Sequence, residues 1–155
     1  MSVNLFKALD TAVQDTLENM AFIQVDPCDN PLWYQTEPFS TVSIRILQPP
    51  LGKLELAVSR SLLQEITASI YGSQEVEITA EVKADTLFEV INTVAGQFLR
   101  ILASDSELCQ LDLPVAAWSD MFVRAGVESG QITCCYGRIG LYLTAMFYPQ
   151  GLVSK

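Results

Sequence analysis

Histidine is absent from all 155 residues. Its absence removes His-based triads, His metal sites and the commonest general base in one step. Basic residues are scarce: nine Lys and Arg stand against eighteen Asp and Glu, for a net charge of −9. Nucleic acid and anionic membrane surfaces are recognised through clusters of Lys and Arg, and here those residues are scattered singly, so both partners are excluded. No apolar run approaches the ~18 residues of a membrane span. Met1 to Asp10 lacks the basic start, apolar centre and cleavage site of a signal peptide, which points to a cytoplasmic protein. No Gly-rich phosphate loop is present. Cys28, Cys109, Cys134 and Cys135 show no Cys-x-x-Cys spacing, so zinc and thioredoxin-like readings have no support and no metal is expected. All four are expected to be reduced, mostly buried small hydrophobes, with Cys134 and Cys135 on opposite faces of a strand.

Half of the residues are hydrophobic and only 17% are charged, which describes a well-buried globular chain. Its length suits one core better than two, so residues 1–155 are expected to form a single domain. Val3 to Ala21 carries an apolar stripe of Leu5, Phe6, Leu9, Ala12, Val13, Leu17 and Met20 and is expected to be an amphipathic helix. Phe22 to Val25 suits a short strand, and Asp26 to Pro38, with three prolines, an irregular segment. Val42, Ile44 and Ile46, then Leu54, Leu56 and Val58, alternate with polar residues across Pro49 to Gly52, predicting a hairpin with one wet face. Ser61 to Gln64 has the form of a capping box for a helix ending at Gly72.

The longest helical run follows, with Thr79 as its N-cap and an end near Ser104. Glu81 and Asp85 lie in its first turns, where the helix dipole favours acids. At ~100° per residue, Asp85, Glu89, Asn92 and Gly96 share one narrow stripe, opposite Leu87, Val90, Ile91, Val94, Phe98, Ile101 and Leu102. Residues three apart on a helix can touch the same foreign object. Gly96 costs ~1 kcal/mol against Ala inside a helix, so its place on the displayed stripe suggests close approach of another backbone. On spacing alone a solvated helix face is the commoner reading, since nearly every amphipathic helix has one. Beyond the helix the period returns to two: Leu108, Leu111 and Leu113 lead to Pro114, Met121 to Arg124 suits a strand, and Ile132 to Tyr136 with Gly140 to Tyr148 suits a closing hairpin around Gly137 and Arg138. The last strand is apolar on both faces, as expected of a central strand or a subunit contact. These elements predict an α+β fold with long amphipathic helices packed on a mostly antiparallel sheet.

The series Asp85-Thr-Leu-Phe-Glu89-Val-Ile-Asn92, followed after twenty-one residues by Pro114, resembles the signature of the chemotaxis phosphatases of the CheC, CheX and FliY type. The resemblance extends to an opening helix ending Leu17-Glu18-Asn19-Met20 and to a faint repetition of a long helix followed by strands, the internal pseudo-two-fold repeat of the CheC-like fold. Two-site members also carry the Glu and Asn signature on the first helix. Aligning Glu18 with the motif glutamate puts Gln14 and Ala21 at the flanking positions, so the first copy lacks its asparagine and the chain resembles CheX more than CheC. The resemblance implies a phosphatase acting on the aspartyl phosphate of a CheY-like response regulator. Asn92 would hold the attacking water, Glu89 would pair with the receiver's lysine, and Asp85, Gly96 and Pro114 would support the contact. It further implies a homodimer and no cofactor of its own, with Mg²⁺ in the partner receiver domain. The alternatives are a non-catalytic regulator-binding protein of the same fold and a flagellar-switch subunit, the latter weakened by a length that leaves no room for an additional domain.

Overall fold

The structure, a computed structural model, describes residues 4–47, 52–72, 79–102, 110–119 and 131–149. Its first helix, α1 (Leu5–Ala21), starts where the Asn4 side chain accepts the Lys7 N–H at 3.0 Å. It stops at Phe22, which adopts the left-handed conformation at φ 58°. There the Phe22 and Ile23 N–H groups donate back to the Glu18 and Leu17 carbonyls, both at 3.1 Å. Those bonds also explain why Phe22 to Val25 is not the expected strand: two of its donors are used to close the helix.

Strands β1 (Phe39–Ile46) and β2 (Gly52–Ser59) pair antiparallel, as the alternation predicts. Helix α2 (Arg60–Tyr71) follows β2 directly and ends at Gly72 in the left-handed region. Its N-cap is Ser59 rather than Ser61, because the chain turns helical two residues earlier than the capping-box pattern suggests. Helix α3 (Ala80–Leu102) is capped by the Thr79 hydroxyl, which accepts the Val82 N–H at 3.2 Å. Strand β3 (Val115–Ser119) follows Pro114, and β4 (Ile132–Arg138) and β5 (Leu141–Pro149) close the sheet. The strand expected at Met121 to Arg124 lies outside the described residues. The β4–β5 turn falls at Ile139 and Gly140, both at positive φ, as a two-residue hairpin of this twist requires. Gly137, expected to sit in the turn, is instead the residue of β4 whose Cβ would overlap the Leu141 carbonyl.

The sheet is antiparallel throughout, in the order β3-β1-β2-β5-β4. Its inner face presents Val42, Ile44, Ile46, Leu54, Leu56, Val58, Leu143, Ala145 and Phe147 to Leu9, Val13 and Leu17 of α1, Leu63 and Ile66 of α2 and Leu87, Ile91, Val94 and Phe98 of α3. Phe98 and Phe147 meet at 5.0 Å between ring centroids, a tilted pair worth about 1 kcal/mol beyond its buried area. Ile101 has the angular position of the buried side yet is 43% exposed, so the last turn of α3 runs past the layer that covers the rest.

The outer face is wet at Arg45 and Lys53 but not along its length. Residues 26–38 cross it as a strap. Trp33, at 0% exposure on a short 3₁₀ turn, stacks on Tyr142 at 5.6 Å, meets Phe39 edge-on, and donates its indole N–H to the Thr144 hydroxyl at 2.9 Å. This cover accounts for the two-sided apolar character of β5, which also sits inside the sheet with β2 and β4 on either side. Beneath it, the Ser59 hydroxyl donates to the Gly140 carbonyl at 2.9 Å and accepts the Leu62 and Tyr142 N–H groups at 3.3 and 2.9 Å. Cys134 is buried on the inner side, whereas Cys28 and Cys135 are only half-buried at the edge of the strap, against the expectation for them; Cys109 lies outside the described residues.

Candidate functional site

Helix α3 buries Leu87, Val90, Ile91, Val94 and Phe98 and leaves Asp85, Glu89 and Asn92 exposed, so the apolar period of the sequence fixes which side chains it displays. Gly96 completes the stripe, and a Cβ built on it meets nothing within 4 Å. From Asp85 to Gly96 the stripe runs about 17 Å along the helix axis, with Glu89 and Asn92 neighbours one turn apart. Among the described residues, no side chain of the protein bonds to the Asp85 or Glu89 carboxylate or to the Asn92 amide. Thr93, beside Asn92, is already engaged: its hydroxyl donates to the Glu89 carbonyl at 2.8 Å. Arg100 reaches Gln97 at 3.3 Å, away from the acids.

This stripe carries two free carboxylates, one free amide and bare backbone. Carboxylates can only accept hydrogen bonds when ionised, and therefore suit a cationic partner group; the amide can accept from one group and donate to another without titrating. Among the described residues no group of three or more Cys, Asp and Glu side chains is placed to hold a metal ion. No described helix is long and apolar enough to cross a membrane.

Pro114 is not on the stripe. It is half-buried just before β3, on a segment held to β1 by the Ile46–Leu111 bridge and by the Asp112 N–H donating to the Arg45 carbonyl at 2.9 Å. Because β3 packs against α3, that segment borders the helix rather than forming part of its displayed face.

The fold, three helices on a five-stranded antiparallel sheet, occurs in solved structures. The CheX protein of Desulfovibrio desulfuricans superposes with a TM-score of 0.77 at 17% identity, covering 96% of this chain and 100% of that one. CheX of Vibrio vulnificus gives 0.76 at 18% identity, covering 94% and 96%. The chain has the CheX fold. The CheX chain of the CheX–CheY–BeF₃–Mg²⁺ complex of Borrelia burgdorferi gives 0.69 at 11% identity, covering 95% and 98%. No family model matches the sequence, and no curated protein does.

Within the CheX fold, α1 is the counterpart that the sequence aligned with α3 through Gln14, Glu18 and Ala21. Gln14 and Glu18 are exposed, but Ala21 is buried, and its carbonyl accepts the Ser69 hydroxyl of α2 at 2.5 Å. An asparagine there would lie in the packed core rather than against a partner. Gln14 is moreover bonded to Asp10 at 2.8 Å, and Asp10 also accepts the Tyr136 hydroxyl at 2.6 Å. Burial and its bond to Asp10 raise the Tyr136 hydroxyl well above the usual phenol range. On α1, Gln14 is thus tied through Asp10 to Tyr136 of β4, whereas on α3 the Asp85, Glu89 and Asn92 side chains have no such bond.

Proposed function

We propose that this protein accelerates hydrolysis of the aspartyl phosphate of a CheY-like response regulator, with α3 as the helix that enters the receiver's active site. The observation that carries the reading is the stripe itself: Asp85, Glu89 and Asn92 in signature register, exposed and unengaged, with half-buried Gly96 a turn beyond, on the long helix of a CheX fold. The fold's appearance in a complex named for CheX and CheY agrees with it. Phosphoryl transfer asks little covalent chemistry of the helper, since the receiver contributes the phosphoaspartate and Mg²⁺ and water is the nucleophile. What remains is positioning. Glu89 docks on a receiver lysine, Asn92 holds the water in line, and Asp85 adds negative charge beside the contact. The test is phosphate release from candidate phosphorylated receivers with and without the protein. Binding without faster release selects the non-catalytic reading, and neither with any receiver rejects both.

Gly96→Leu separates the docking role of the stripe from folding. Leu is the better helix former by several tenths of a kcal/mol, and the site has room for it, so the variant is expected to unfold at equal or higher urea concentration. Receiver affinity is expected to fall, measured by titration against the same regulator. Lower stability instead would mean that Gly96 packs within the protein.

The protein is also proposed to be a homodimer. Strand β5 is internal to the sheet, whereas β3 is an edge strand led by the exposed Leu113 (81%) and Val115 (66%) and supplies the contact. Pairing there would need to bury about 1,200 Å² or more to be stable. Light scattering at micromolar concentration is expected to give twice the chain mass; monomer alone would remove the proposal.

A further inference from the structure

The strap and strand β4 run antiparallel where they meet. Pro27 pairs with Tyr136, the Gly137 N–H donates to the Asp26 carbonyl at 2.9 Å, and the Cys28 N–H donates to the Cys135 carbonyl at 3.2 Å. One step along that register from Pro27 and Tyr136, Cys28 stands opposite Cys135. Directly opposed residues on an antiparallel pair have their Cα atoms roughly 4.5–5.5 Å apart and their side chains on the same face. Disulfides span Cα separations of about 4.4–6.8 Å. Both cysteines pack on the Trp33 cluster of the outer face, and both are free and half-buried. Cys134, although adjacent in sequence, points to the inner face and is 3% exposed.

We infer that Cys28 and Cys135 form a reversible disulfide, a redox modification site that bolts the Trp33 strap to the edge of the sheet. This inference is independent of the reading of α3. A small-molecule disulfide of the oxidised glutathione class is the oxidant. The Cys28 thiolate attacks it, forming a mixed disulfide and releasing one reduced thiol; Cys135 then attacks the Cys28 sulfur, forming the internal bond and releasing the second. The two protein thiols each lose a proton, the two released thiols each take one, and two electrons pass from protein to oxidant. The order of attack follows from the surroundings. Burial, and then the Cys28 thiol beside it, push the Cys135 thiol up to about 12, which disfavours it as the first nucleophile.

The experiment treats the folded full-length chain with oxidised glutathione, followed by intact mass and peptide mapping. Because Cys134 and Cys135 share a peptide, a Cys109→Ser, Cys134→Ala background is mapped beside the wild type. The expected product has lost two hydrogens, retains no glutathione, links the Cys28 and Cys135 peptides, reverts with dithiothreitol, and melts several degrees above the reduced protein. Cys28→Ser and Cys135→Ser are each expected to abolish both the link and the gain in melting temperature. Stable glutathione adducts without a link, a link to Cys109 or Cys134, or no reaction of the folded chain where the urea-unfolded chain is fully oxidised would each overturn the inference.

Discussion

Asn92→Ala is expected to slow catalysed phosphate release on the order of 100-fold, equivalent to about 2.7 kcal/mol of transition-state stabilisation, while receiver affinity stays within a few-fold. The amide is exposed and bonded to nothing within the protein, so its removal leaves the fold as it was and takes away only what it does to the substrate. Asn92→Asp sharpens the test. It preserves size but sets a negative charge beside an anionic phosphoryl group, and should be nearly as damaging. Glu89→Ala should act on the other quantity, weakening association through loss of the charge partner for the receiver's lysine. Single-turnover release at saturating protein separates the two effects from a titration of binding. Wild-type acceleration in both Asn92 variants would return α3 to an ordinary solvated helix.

Trp33→Ala should be the most destabilising single substitution outside the helical layer, at about 3–5 kcal/mol. A native domain is commonly stable by only about 5–15 kcal/mol, so such a loss is a large part of the whole. Trp33 is fully buried between Tyr142 and Phe39, and its indole N–H satisfies the Thr144 hydroxyl, itself 8% exposed. Truncation opens a cavity and removes that hydroxyl's partner. Trp33→Phe retains most of the ring and loses the hydrogen bond, for an expected cost near 1 kcal/mol from that bond alone plus a smaller packing term. Urea unfolding followed by circular dichroism gives both values. A loss below about 1 kcal/mol for the alanine variant would show that the strap opens separately from the sheet.

The contrast between these two residues shows what the sequence makes legible. Asn92 could be placed on a displayed stripe because a long helix repeats its period often enough to orient every side chain, and the structure exposes it. The β1–β2 pairing was readable for the same reason, since alternation over several residues permits one register. Trp33 lies among Pro27, Pro31 and Pro38, where no period exists, and its burial depends on β5, more than a hundred residues away. The one trace of it was indirect: β5 carries Tyr142, Thr144 and Met146 on the face that should be wet. Single-residue devices were also misplaced. Ser61 matches a capping pattern as well as Ser59 does locally, and only the end of β2 decides between them. Gly137 and Gly140 both suit a turn, and the choice rests on how closely Leu141 approaches.

The Ser59 hydroxyl has one proton and two lone pairs, and all three are committed: one within the first turn of α2, two to residues 81 and 83 positions away. Helix ends ordinarily fray one at a time, each at little expense to the rest of a molecule. Here the first turn of α2 cannot loosen alone, because swinging Ser59 away strands the Tyr142 N–H and the Gly140 carbonyl at the tip of the distant hairpin. One side chain thereby converts a local event into a long-range one, and the start of a short helix is clamped by strands that are the last to leave the ribosome among those the structure describes.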